Sequence, residues 1–131
     1  MIRYAFPVLV LALAGTASAD QRHPDLAEVA LQKTLNGLTP GTPQRCLVRE
    51  RFSEVRAVPN GVLYVGGQTR KYLNRVVGEC PGLARGDLVI VRSLHREPCE
   101  GDQVLTREKL SGRLSGSCTL GNFVPYAKAA Q

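Results

Sequence analysis

Tyr72-Leu73-Asn74-Arg75-Val76-Val77-Gly78-Glu79-Cys80-Pro81-Gly82-Leu83 is the stretch around which the rest of the chain is arranged. Its first half is aromatic and β-branched, the composition that suits a pleated, half-buried strand. Its second half stops at a cysteine followed by a Pro-Gly turn. The other three cysteines, Cys46, Cys99 and Cys118, lie on both sides of it, and the clearest strand candidates flank it.

Immediately upstream, Pro59-Asn60-Gly61 is a strong turn signal, Val62 to Val65 is rich in β-branched and aromatic residues, and Gly66-Gly67 permits the positive φ of a tight hairpin. Lys71 to Val77 is then the return strand. Before the first turn, Phe52 to Val58 alternates only in part, which predicts a bulge or bend at its start. Two turns this close imply a three-stranded meander.

Downstream, Gly78 to Gly86 is a connection. Asp87 to Ser93 holds Leu88-Val89-Ile90-Val91 in a row, and an uninterrupted apolar run predicts a strand buried on both faces. Leu94 to Gly101 is a polar loop. Gln103 to Arg107 is a short fifth strand, and Glu108 to Ser117 is an exposed loop. Cys118 to Val124 closes the domain as a short strand or extended segment, and Pro125 to Gln131 is expected to fray.

Toward the N-terminus, Asp25 to Leu35 is the one helical candidate. Pro24 suits a first helical position, Asp25 and Glu28 the positive end of the helix dipole, and Lys33 the other end. Leu26, Val29, Ala30 and Lys33 form one stripe; Leu31, Leu35 and Leu38 form another. Asn36-Gly37 is a stop signal. Leu38 to Gln44, with Pro40, Gly41 and Pro43, is expected to be a linker.

The first nineteen residues read as an export signal: Arg3, an apolar core from Phe6 to Ala14, and a cleavage site at Ala17-Ser18-Ala19. The expected division is therefore a signal peptide over 1–19, a helix and linker over 20–44, a β domain over 45–126 and a tail over 127–131. No later stretch has the roughly 20 apolar residues of a membrane span. The expected location is periplasmic or secreted. Of the chain's 131 residues, 112 would remain after cleavage. Without Arg3, sixteen basic residues stand against eleven acidic ones, a net charge of +5.

No run of four basic residues occurs. The charge suits anionic neighbours such as lipid headgroups or acidic glycans and gives little ground for a nucleic-acid partner. Four cysteines at spacings of 34, 19 and 19 in an exported chain read as two disulfides, and the absence of a Cys-x-x-Cys pair argues against a zinc ribbon or a thioredoxin-like site. Three connectivities are open. The expected fold is mainly β: a small antiparallel barrel or sandwich of five to six strands with one N-terminal helix, stapled by disulfides.

The chemistry-bearing residues are few. His95 with Glu97, Glu100 and Asp102 is a conceivable divalent-metal or acid–base loop, although mixed charge on an exposed loop is the simpler reading. In Cys99-Glu100-Gly101-Asp102, Asp102 is expected to cap a tight turn. Gly-x-Ser-x-Gly is absent, and Gly66-Gly67 is better explained as a turn than as a phosphate cradle. Tyr64, Tyr72 and Arg75 could share a sheet face as a binding platform. Arg70, Lys71, Tyr72 and Arg75 are the expected binding surface, with Arg70, Lys71 and Arg75 as a cationic sheet edge. No cofactor and no catalytic residue is predicted.

Five motifs taken together, Arg45-Cys46-Leu47, Tyr72-Leu73-Asn74-Arg75, Cys80-Pro81-Gly82-Leu83, Cys99-Glu100-Gly101-Asp102 and Cys118-Thr119-Leu120-Gly121-Asn122-Phe123-Val124-Pro125, resemble a family of small exported proteobacterial proteins known as a domain of unknown function. The resemblance runs from Arg45 to Tyr126. It implies an exported β-rich domain and no particular reaction. It also implies that Cys80 pairs with Cys118, which leaves Cys46 for Cys99. The functional expectation is a non-enzymatic envelope protein that binds or supports another component. The alternatives are a secreted inhibitor of another protein that presents the loop Leu94 to Glu97, and a metal-dependent activity at His95.

Overall fold

The structure, a computed structural model, describes residues 25–129. The predicted export signal and the segment up to Pro24 lie outside the described residues. The elements in order are α1 (Leu26–Leu35), β1 (Leu38–Pro40), β2 (Glu54–Val58), β3 (Gly61–Val65), β4 (Arg70–Arg75), α2 (Gly82–Arg85), β5 (Leu88–Arg92), β6 (Gln103–Arg107), β7 (Leu114–Thr119) and β8 (Phe123–Lys128). They make two antiparallel sheets, ordered β1-β8-β4-β3-β2 and β5-β6-β7. The sheets pack face to face as a sandwich and do not close into a barrel.

The meander β2-β3-β4 forms where the turn residues predict it. Pro59 and a left-handed Asn60 (φ 53°) join β2 to β3, as a type II turn requires, and Gly67 (φ 136°) opens the hairpin from β3 to β4. Strand alternation then separates two apolar clusters. Val62, Tyr64, Tyr72 and Phe123 face the second sheet and meet Leu47, Val76, Leu83, Val104 and Leu120 in the main core. Leu63, Val65 and Leu73 face the other way and are covered by Leu31 and Leu35 of α1. The strand buried on both faces is therefore β3, in the middle of a three-layer stack.

The second leucine stripe of α1 is the one that docks. Leu26 and Val29, on the first stripe, stay exposed. Asp25 is the N-cap rather than a helical residue: its Oδ1 accepts the Ala27 N–H at 3.0 Å. Glu28 reaches Arg75 at 3.2 Å and ties the helix to the end of β4.

Four expectations are corrected. The linker Leu38–Pro40 and the fraying end at Pro125 are strands that pair with each other, with Leu38 opposite Lys128 and Pro40 opposite Tyr126. Pro40 is tolerated because β1 is the sheet edge. Pro125 lies in β8 between β1 and β4, where its carbonyl accepts from Gly41 N–H at 2.7 Å and its missing donor falls at the end of the β1 ladder. β5 is not buried on both faces: it is an edge strand, with Val89 and Val91 inward and Leu88 and Ile90 exposed. The loop assigned to Glu108–Ser117 ends in β7, so there are eight strands where five to six were expected. The connection Gly78–Gly86 carries the single turn of α2.

Cys46 is bridged to Cys99 and Cys80 to Cys118, the connectivity that the family resemblance implies. The first bridge joins facing residues of an isolated antiparallel pair and is partly exposed. The second is buried against the main core, tying the segment after β4 to β7. Two bridged pairs are the usual state of an exported protein in an oxidising compartment.

Candidate functional site

The edge strands β2 and β5, one from each sheet, lie beside each other on one side of the sandwich. β2 pairs only with β3, and β5 only with β6. Between these edges is a cavity of about 260 Å³, lined by Val55 and Tyr64 of the first sheet with Phe52 from the run into β2, and by Val89 and Val91 of the second with Pro98 from the β5–β6 loop, Arg49 and Ser93 supplying polar groups. The local causes are visible. The 3-10 turn at Arg49–Arg51 and the irregular run into β2 place Phe52 edge-on to Tyr64, with centroids 4.9 Å apart, and Phe123 stands edge-on to Tyr64 from the other side at 5.4 Å.

Tyr64 carries a chemically unusual group. It is 1% exposed, and its buried hydroxyl finds no hydrogen-bond partner among the described residues. Burial, and secondarily the Asp102 carboxylate, push its ionisation far above the ordinary phenol range. The hydroxyl therefore stays a neutral donor in an apolar setting. Arg49 donates through Nε to Arg96 O at 3.2 Å. No carboxylate lies within ion-pair distance of Arg49 among the described residues. The arrangement suits a ligand with an apolar body and an anionic end beside Arg49.

The predicted binding residues do not form one surface. Tyr72 is 2% exposed and sits opposite Tyr64 in the core, so the Tyr64–Tyr72–Arg75 platform does not exist; Arg75 points to the other face of the sheet. Lys71 is buried, and its ammonium is used by the hairpin, donating to Gln68 O at 2.7 Å. Arg75 is held by Glu28 and by Pro59 O. Arg70 is exposed. The cationic edge is absent because β4 is an inner strand between β3 and β8.

His95 hangs exposed in the β5–β6 loop with its backbone N–H on Ser93 Oγ. It lines a shallow depression with Glu97, Glu100 and Asp102, but no three potential metal ligands converge among the described residues. Asp102 caps its turn as expected: its Oδ2 accepts the Cys99 N–H at 2.8 Å, and its own N–H reaches Cys99 O at 3.1 Å.

Two polar arrangements went unforeseen. Asn74, fully buried, donates to Gly121 O and accepts from Gly121 N–H, each at 2.8 Å. Its place in a strand otherwise apolar at alternate positions was the available signal. The second is a chain of contacts under α2: Ser115 Oγ lies 2.6 Å from Asp87 Oδ2 and 2.9 Å from Thr106 Oγ1, and Arg85 donates to the same carboxylate at 3.1 Å. The Ser115 hydroxyl, then Arg85, hold the Asp87 carboxyl below its usual range. Nothing in the local sequence pointed to it, because its members come from four separate elements. This set anchors α2 between the sheets and lacks an imidazole to act as a base.

No helix among the described residues is long and apolar enough to cross a membrane. Fold and cavity together define the class, an open, disulfide-stapled antiparallel β-sandwich with a cavity at its seam. No protein-family model matches the chain, and neither a curated protein nor a solved structure matches it.

Proposed function

We propose that this is an exported, non-enzymatic binding module of the cell envelope, periplasmic or secreted, whose seat is the cavity between β2 and β5. The observation that carries the reading is the cavity walled by Phe52, Tyr64, Val89 and Val91, with Arg49, which has no carboxylate partner among the described residues, at its margin. Apolar walls with one cationic group at the margin are the form of a small-molecule site. The export reading is supported by the leader-like N-terminal sequence and by the two disulfides. The non-enzymatic reading is supported by the structural use made of Asp87, Asp102 and Ser115.

The family proposal stands on the same footing. Asn74, the Cys99–Asp102 turn, Gly121 and all four cysteines belong to the five motifs and hold this fold together.

An anionic naphthalene sulfonate whose fluorescence rises in apolar sites tests the seat. The wild-type protein is expected to bind it saturably at one site. Val55→Trp, which places a large ring at the cavity margin from a position already 41% exposed, should weaken binding at least ten-fold with little change in thermal midpoint. Equal binding by the two proteins would remove the seam as the seat.

A second reading has its own observation. Leu94 is 96% exposed at the tip of a loop that is held by Ser93 Oγ donating to Glu97 O at 2.7 Å and by the Cys46–Cys99 bridge. A rigid loop with a projecting leucine is the form an inhibitor of another protein uses. Loss of partner capture on replacing Leu94 to Glu97 by alanine, with stability kept, would favour it over the seam.

A further inference from the structure

The outer face of the second sheet extends away from the seam and meets it at a rim that Leu88 and Lys109 share with Val55. Val89, Val104, Thr106 and Cys118 point inward, so the register turns Leu88, Arg107 and Leu114 outward in one row across the three strands, with Ile90 beside Leu105 in the next row. Leu88 and Leu114 are 50% and 52% exposed, and Ile90 is 40% exposed. The turn between β6 and β7, at the end of that row, carries Leu110 completely exposed. Isolated exposed leucines need no explanation, but four large aliphatic side chains on one flat face and its adjoining turn make a patch.

The charges around the patch are mostly positive. Arg107, Lys109 and Arg113 flank Leu88, Leu110 and Leu114, and Arg92 stands at the far end of β5. None of these four makes an ion pair among the described residues. Arg107 is steadied over the turn by donating to Gly112 O at 2.9 Å. Two acidic groups lie nearby: Glu108, in the same turn, accepts from Ser111 Oγ, and Asp87, buried beneath α2 with Ser115 and Arg85, also feels the Lys109 ammonium.

We propose that this face docks on an anionic lipid surface, with Leu88, Leu110 and Leu114 entering the headgroup boundary and Arg107, Lys109 and Arg113 lying over the phosphates. An apolar centre ringed by cations is the pattern of an interfacial anchor, and each basic residue near such a surface contributes about a five-fold gain in partition. A second copy of the chain is a poor occupant, because a two-fold contact would set the same cations against each other. The net charge of +5 that remains without Arg3 favours the same partner.

The test is sedimentation with vesicles of phosphatidylcholine alone and of phosphatidylcholine with one quarter phosphatidylglycerol. It uses protein whose intact mass shows the leader removed, since an uncleaved leader would itself bind. Partition to the anionic vesicles only, falling as salt rises, is expected. Lys109→Ser with Arg113→Ser should weaken it about twenty-five-fold. Leu110→Ser with Leu114→Ser should abolish it, while Leu26→Ser on the opposite side leaves it unchanged. All substituted positions are exposed, and equal thermal midpoints confirm folding. No partition at low salt, equal binding to both vesicles, or an equal loss in Leu26→Ser overturns the proposal. So does a dimer in solution that the leucine variants dissolve, which would make the face a self-association surface.

Discussion

Asn74 shows how one polar side chain can fix a sandwich. Its amide satisfies both backbone groups of Gly121, on the approach to β8, from inside the core. Gly121 has to be glycine there, since a Cβ would stand 2.3 Å from Arg75 O. Asn74→Ala leaves a buried N–H and a buried C=O without partners, and a loss of about 2–4 kcal/mol in denaturant unfolding is expected. A loss below about 0.5 kcal/mol would mean that water replaces the amide freely. Tyr64 gives a prediction in pH. Its folded hydroxyl ionises far above the ordinary phenol range, whereas an unfolded tyrosine ionises near 10. The unfolded chain thus loses a proton that the folded chain keeps. The stability this supplies is complete below about pH 10 and declines as the pH rises further. Unfolding midpoints measured across alkaline pH should decline less steeply in Tyr64→Phe than in the wild type. Identical slopes would show that Tyr64 titrates normally.

At the scale of elements, the two disulfides do different work. Cys80 and Cys118 are 5% and 6% exposed in the core, whereas Cys46 is exposed beside the β5–β6 loop. Mild reductant followed by alkylation and peptide mass analysis should find Cys46 and Cys99 modified first; prior modification of Cys80 and Cys118 would contradict the packing described. Replacing Cys80 and Cys118 by alanine should cost about 2–4 kcal/mol. The elements also show what was legible in the sequence. Turn residues located β2, β3 and β4 because Pro59-Asn60 and Gly66-Gly67 act locally. Burial was misassigned between β3 and β5, since both are apolar runs and only the position of a strand within its sheet decides which faces are covered. Val62 to Val65 is covered by α1 on one side and by the second sheet on the other, while Leu88 and Ile90 have nothing over them. β1 and β8 were missed for a related reason. Their prolines and polar residues read as loose ends until each is seen as the other's partner, a contact across nearly ninety residues that no local pattern encodes.

For the whole molecule, a mainly β, disulfide-stapled barrel or sandwich was readable from the turn spacing and the cysteine count; the choice of sandwich and the cavity at its seam were not. The cavity draws on residues from Arg49 to Pro98 that meet only because the edge strands β2 and β5 lie beside each other. The predicted surface at Arg70, Lys71, Tyr72 and Arg75 failed as a unit because alternation sends Tyr72 into the core and the hairpin uses the Lys71 ammonium. The central claim is that the seam holds a ligand. It is tested most directly by native intact mass spectrometry of the protein purified from the envelope or medium, beside Val55→Trp prepared in the same way, each paired with a denatured spectrum. The account predicts a wild-type chain lighter by four hydrogens, carrying one small-molecule adduct that denaturation releases and that Val55→Trp lacks. An adduct retained equally by Val55→Trp, or a wild-type protein that carries none and also fails to take up the naphthalene sulfonate, would contradict it.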